Sequence, residues 1–267
     1  MKQAASPTTL PDRNAYLNSV FLIAKKYFAE GAKSWNISQK LLGVILAIPF
    51  GVALSGVLAA LAGKNVYKWL TMEDGFAEDM QVLFYFLAFV LCIIITRKIW
   101  GSDDKIVKIL YLGLCFGLFF LIGEELNWGQ RMFGWQTSAS FAAINKQDET
   151  NLHNIYGVGA TFKWIQLLVG TYGTILPLVV LRWKSPERFQ HLVSMVVPPY
   201  TLMPFFMFIF IWRIYRNLVE EPQAFYFAVA EYNEVMELIL AIGLFLFMVY
   251  QLRRLNREHK SAVVPMN

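Results

Sequence analysis

Six stretches of the chain stay apolar long enough to cross a hydrocarbon core, which takes about 20 mostly apolar residues per helix. They cover residues 41–63, 80–96, 106–123, 164–181, 192–212 and 235–252, and each ends at charged residues, prolines or a polar cluster. Backbone groups in lipid must be satisfied within the segment, so runs of this length predict helices. The short alternating segments of a membrane β-barrel are absent from the pattern. Before the first span, residues 16–29 combine Val20, Phe21, Ile23, Ala24 and Phe28 with Lys25 and Lys26. That mixture predicts an amphipathic helix, either lying at a membrane surface or solvated as an ordinary leader helix. Residues 1–15 are polar, with neither the apolar core nor the cleavage site of a signal peptide. The expected fold is all-α, a polytopic transmembrane bundle of six helices plus an N-terminal amphipathic interfacial helix. Residues 1–40 form its cytoplasmic N-terminal segment, 41–252 the six-helix transmembrane domain with a long outer loop at 124–163, and 253–267 a basic cytoplasmic tail.

Composition agrees. Of 267 residues, 57% are hydrophobic and 16% charged, and the mean hydropathy is +0.44. Soluble domains average about 25% charged residues. A soluble globule, a disordered chain, a collagen-like fibre and a disulfide scaffold are all disfavoured. With the N-terminus inside, 17 of the 24 Lys and Arg residues fall on the inner side, and the bias recurs in every inner loop. The positive-inside rule then puts both termini in the cytoplasm, and the expected location is a bacterial inner membrane. The acidic residues run the other way, with 13 of 19 outside. Acidic residues contribute little to topology, so their gathering on the outer face points to function.

Cys92 and Cys115 lie inside apolar spans and are expected to behave as small core residues. Gly113 and Gly117 make a small-xxx-small pair that predicts close helix packing on the third span. Pro198, Pro199 and Pro204 interrupt the fifth span, and Pro177 sits late in the fourth. Such prolines mark either plain kinks or a discontinuous helix beside a site.

Three outer polar clusters each abut a helix end. The first holds Glu73, Asp74, Glu78 and Asp79. The second runs from Glu124 and Glu125 through Asn127, Trp128, Gln130 and Arg131 to Gln147, Asp148, Glu149, Asn151, His153 and Asn154. The third holds Arg213, Arg216, Glu220, Glu221, Glu231, Asn233, Glu234 and Glu237. An acidic pair such as Glu124–Glu125 is costly at membrane depth unless partnered, by Arg131, Arg213, Arg216 or a divalent cation. Glu149 and His153 are spaced so that a helix would set them on one face, as two ligands of one metal. Glu124 or Glu125 would supply the third ligand, and Glu125, Glu149 and His153 form the candidate metal set. The competing reading has Glu149 as a helix N-terminal charge and His153 as a polar interface residue. His153 is the one outer histidine, so a carboxylate-rich site is expected, suited to zinc, magnesium, manganese or calcium. Glu124, Glu125, Gln130 and Arg131 form the candidate catalytic group, and Trp128, Asn151, Asn154, Arg213 and Arg216 the candidate substrate-binding group. The two arginines, three residues apart, could clamp a phosphate or simply snorkel to headgroups. The 40-residue connection 124–163 predicts short helices or a re-entrant segment over the outer mouth.

The strings Glu-Glu-Leu-Asn-Trp-Gly-Gln-Arg-Met-Phe-Gly at 124–134 and Glu-Thr-Asn-Leu-His-Asn at 149–154 resemble a pattern in a family of bacterial polytopic membrane proteins with no established activity. The acidic start of the second span (Glu73, Asp74, Glu78) is similar to the N-terminal motif of the alkaline-ceramidase-like (CREST) membrane hydrolases. That resemblance implies a zinc centre held by three histidines within seven helices, of which only His153 has a counterpart on the outer side here.

The expected function is a membrane-embedded, metal-dependent hydrolase or transferase acting on a membrane lipid or lipid-linked substrate. A transporter or ion pathway through the same carboxylates, or an assembly partner of another membrane protein, are the alternatives. The basic residues form no stripe, so a nucleic-acid partner is not expected.

Overall fold

A computed structural model describes residues 13–72, 74–146, 149–183, 186–220 and 222–263. The reading of residues 1–12, and Glu73, Gln147, Asp148 and Glu221 of the polar clusters, lie outside the described residues. The described chain is helical, and its one β feature is an isolated bridge between Asn145 and Ile155. It divides into a first compact unit ending at Ile45 and a second, Leu46–Asn267.

In the first unit α1 (Arg13–Trp35) leads to the start of α2 (Gln39–Ala62). From Tyr16 to Tyr27 every α1 side chain is exposed, whereas Ala32, Trp35 and Leu42 are buried.

The remaining elements of the bundle follow the apolar pattern. A short helix, α3 (Lys64–Thr71), joins α2 to α4 (Phe76–Ile99) and was not foreseen in the sequence. Its Tyr67 hydroxyl donates to the Ala228 carbonyl. α4 carries Glu78 and Asp79 in its first turn and Arg97 and Lys98 in its last, each sign complementing the helix dipole. α5 (Lys105–Glu125) is capped by Asp104, whose Oδ1 accepts from Val107 N at 3.1 Å. Asp104 also faces His191 Nδ1 at 3.0 Å. The backbone N–H bonds and His191 hold its carboxyl below the usual range. Two short helices, α6 (Gln130–Phe133) and α7 (Ala139–Ala142), follow, and α8 (Gly159–Arg182) returns across the bundle through Pro177. Six helical segments are long and apolar enough to cross a membrane. Large apolar side chains such as Leu61, Phe116 and Leu168 are more than two-thirds exposed, as lipid-facing residues of a multi-pass membrane protein are.

The fifth span is a discontinuous helix rather than a plain kink. α9 (Glu187–Val196) ends where Val197 turns extended before Pro198 and Pro199, and α10 (Met203–Leu218) restarts after one 3-10 turn. Two prolines in succession cannot donate, so the last α9 carbonyls need outside partners. Tyr111 Oη and Gln251 Nε2 both donate to the Met195 carbonyl at 2.9 Å. Gln251 and Arg254 reach the Ser194 carbonyl, and the Tyr172 hydroxyl the Val196 carbonyl. Gln251 and Arg254 belong to the last helix, α11 (Tyr226–Val263), which runs on into the basic tail.

α4 packs between α5 and α11, and α10 between α8 and α11. α8 and α10 approach closely at two glycines. A Cβ at Gly173 would lie 2.0 Å from Phe206 Cγ, and one at Gly170 2.8 Å from Phe210 N. Gly113 and Gly117 do not mark a packing face, because a Cβ at either meets nothing within 4 Å. Cys92 and Cys115 are free thiols with sulfurs 3.0 Å apart across the α4–α5 contact.

Candidate functional site

The site begins where α5 ends. Beyond Glu125 the chain passes through three successive left-handed residues, Asn127 (φ 48°), Trp128 (φ 51°) and Gly129 (φ 96°). For a residue with a Cβ this costs about 1–2 kcal/mol each, so local contacts must hold it. Trp128 Nε1 donates to Glu124 Oε1 at 2.7 Å, and its ring stands edge-on to Phe119 and Phe120. The indole also lies over Gly123, where a Cβ would sit 3.0 Å from it. Asn127 Oδ1 accepts from Asn151 Nδ2 at 2.7 Å.

Glu124 ties the distant part of the loop to this turn. Its Oε2 accepts from Leu152 N at 2.8 Å and His153 N at 2.9 Å, and faces His153 Nδ1 at 3.3 Å. Glu124 is 1% exposed, so two backbone donors and an indole meet its desolvation. Partial burial of His153 works against its protonation. The hydrogen bond and charge of Glu124 outweigh that and raise its pKa above the ordinary 6.5, with Glu237 and Glu149 adding. Residues 149–154 are not helical, so Glu149 and His153 do not share a helix face. Asparagine side chains organise the segment instead. Glu149 Oε2 accepts from Asn151 Nδ2 at 2.7 Å and Asn154 Nδ2 at 3.1 Å, while Asn145 Nδ2 donates to Asn151.

Gln130 and Arg131 act on the loop from its other side. Gln130 Oε1 accepts from Thr150 N at 2.8 Å. Arg131 pairs with Asp74, with Glu78 at 2.7 Å and with Asp79 at 3.0 Å, and donates to the Glu125 carbonyl. Arg131 is therefore engaged by the first acidic cluster and does not partner the Glu124 or Glu125 carboxylates.

The three polar clusters meet around one cavity of about 620 Å³. Glu78 of the first, Glu124, Glu125, Glu149, Asn151, His153 and Asn154 of the second, and Arg213, Glu231, Asn233, Glu234 and Glu237 of the third all line it. Trp128, Gln130, Arg131 and Arg216 stand outside that lining. Arg213 is 4% exposed and points inward, with Nε 2.5 Å from Gln166 Oε1 and the guanidinium 3.5 Å from Glu237. Arg213 and Arg216 thus do not share the cavity lining. Gln166 Nε2 donates to Glu237 at 2.7 Å, and Gln81 Nε2 to Glu234 at 2.9 Å. The Glu125 carboxylate accepts no hydrogen bond and joins no ion pair among the described residues. The proposed metal ligands Glu125, Glu149 and His153 are engaged separately, and no three His, Cys, Asp or Glu side chains among the described residues are grouped to hold a metal ion.

Several polar residues in and around the cavity went unassigned in the sequence. Gln81 and Gln166 carried a usable signal, since a lone amide in an apolar span needs an internal partner. Asn145, Lys146 and Lys163 carried none, because loop amides and lysines are ordinary. Comparisons with protein families, with curated proteins and with solved structures find no match to this chain.

Proposed function

We propose that this is a bacterial inner-membrane hydrolase or transferase that takes a lipid or lipid-linked substrate into a polar cavity at the extracytoplasmic face. The carrying observation is the convergence of three chain-distant polar clusters on one cavity whose volume, about 620 Å³, falls in the usual range for ligand sites. In this reading His153 is the general acid–base. Glu124 holds the Nδ1 side of its ring, leaving the other ring nitrogen for the substrate, as in other carboxylate–imidazole pairs. A pKa lifted above 6.5 suits proton donation to a leaving group near neutral pH. The Lys and Arg distribution supports the outward orientation. A divalent cation enters only through a rearrangement that frees Glu149 and His153 from their present partners.

The test is a panel of acyl ester, acyl amide, phosphodiester and glycosidic lipids offered to the purified protein in lipid nanodiscs, with products followed by mass spectrometry. His153→Ala and Glu124→Gln are each expected to slow the cleaved class by about a hundredfold or more. Turnover indifferent to both variants overturns the assignment.

A cation or proton pathway is the second reading. Glu125, Glu231, Glu234 and Glu237 fall within span-length helices and face the same cavity. Proteoliposome uptake lost in Glu125→Gln, with no lipid turnover in the native protein, would favour it.

A further inference from the structure

The polar cavity adjoins a second one at its inner end. Val169 and Leu244 line both, and the second, of about 450 Å³, has almost wholly apolar walls. From Gly159 at the polar mouth to Tyr172 beside the apolar chamber is about 20 Å along α8, at 1.5 Å per residue. The chamber lies beside the break in the fifth span, its far wall being Met195, Val196 and Pro198. It holds on the order of 15 methylene groups if each takes about the 30 Å³ of a water molecule. Leu110, 46% exposed on the lipid-facing surface, forms part of its wall, so the chamber reaches the side of the bundle.

The chemistry of the polar end selects the head. Seven glutamates line it against three cationic side chains, Lys146, Lys163 and Arg213. Asn233 Oδ1 is buried there without a hydrogen-bond partner, its amide nitrogen being committed to Glu237, and the Glu125 carboxylate lines the same cavity with no hydrogen bond or ion pair among the described residues. Unmet acceptors beside surplus negative charge call for a group that only donates. A primary ammonium does so, with three N–H bonds and a positive charge.

We propose that the two cavities form one binding site for a single-chain amphiphile with a primary amine head, the ammonium at Glu125 and the hydrocarbon chain in the chamber behind Val169 and Leu244. This names the substrate class of the lipid reading above and rests on it. The probes are a hexadecylamine and a hexadecanoic acid, each with a mid-chain diazirine, photolysed with the full-length protein in nanodiscs and mapped by mass spectrometry. The amine is expected to label peptides containing Tyr172 and Met195 about tenfold or more above the acid. Glu125→Gln, which keeps shape and removes charge, should erase that preference. Val169→Trp should move the label out of the chamber. Equal labelling by acid and amine overturns the head assignment while leaving a lipid site. Chamber labelling indifferent to Val169→Trp, or label found only on outward residues such as Leu54, overturns the tail assignment. Chamber labelling as expected, with no turnover of any lipid by the native protein, sinks the enzymatic reading and keeps the amphiphile site.

Discussion

His153 receives Glu124 twice, once at its backbone N–H and once at its ring. Only the ring contact depends on pH. The folded state lifts the His153 pKa above 6.5, so the stability it adds is fully present below 6.5 and is lost as the pH rises through the folded value. Thermal unfolding in detergent is expected to show a midpoint that falls as the pH rises above about 6.5, with a flatter profile in His153→Asn. The backbone half of the latch survives that substitution, so the loop should stay docked. Glu124 and His153 were legible as candidates, but the route by which they meet was not. The Glu149–His153 spacing suggested a helix, yet asparagines at 145 and 151 offer the backbone side-chain partners that compete with helix formation.

Between helices, the sequence showed which segments are apolar but not which faces touch. Gly113 and Gly117 carry the right spacing on α5 and pack on nothing, while Gly170 and Gly173 admit α10 against α8. A small residue permits close approach; only the opposing side chain, here Phe206, makes it necessary. Gly173→Ala should therefore destabilise the protein by about 1–3 kcal/mol through overpacking. Gly113→Ala should be neutral or stabilising by up to about 1 kcal/mol, since alanine is the better helix former. Denaturant or thermal melts of the two variants side by side distinguish these outcomes. Arg131 shows the same limit for charges. Its three carboxylate partners lie more than 50 residues away in sequence, and local patterning gave no reason to choose them over Glu124 or Glu125.

For the molecule as a whole, the number of spans and their approximate limits followed from hydropathy, because lipid imposes length and apolarity on each helix separately. The two adjoining cavities did not follow, because they arise from gaps between helices and lie beside the break at Pro198–Pro199. That break is held by side chains of three other helices: Tyr111 of α5, Tyr172 of α8, and Gln251 with Arg254 of α11. In the double variant Gln251→Leu, Arg254→Met, the backbone at 194–197 is expected to exchange hydrogen for deuterium about tenfold or more faster, with the spans still inserted. Translation reaches Gln251 and Arg254 last, after every other strut of the break is already in place. Birth order thus leaves an interval in which only Tyr111 and Tyr172 are available to brace the fifth span, and the bracing is complete only once the final helix has been made.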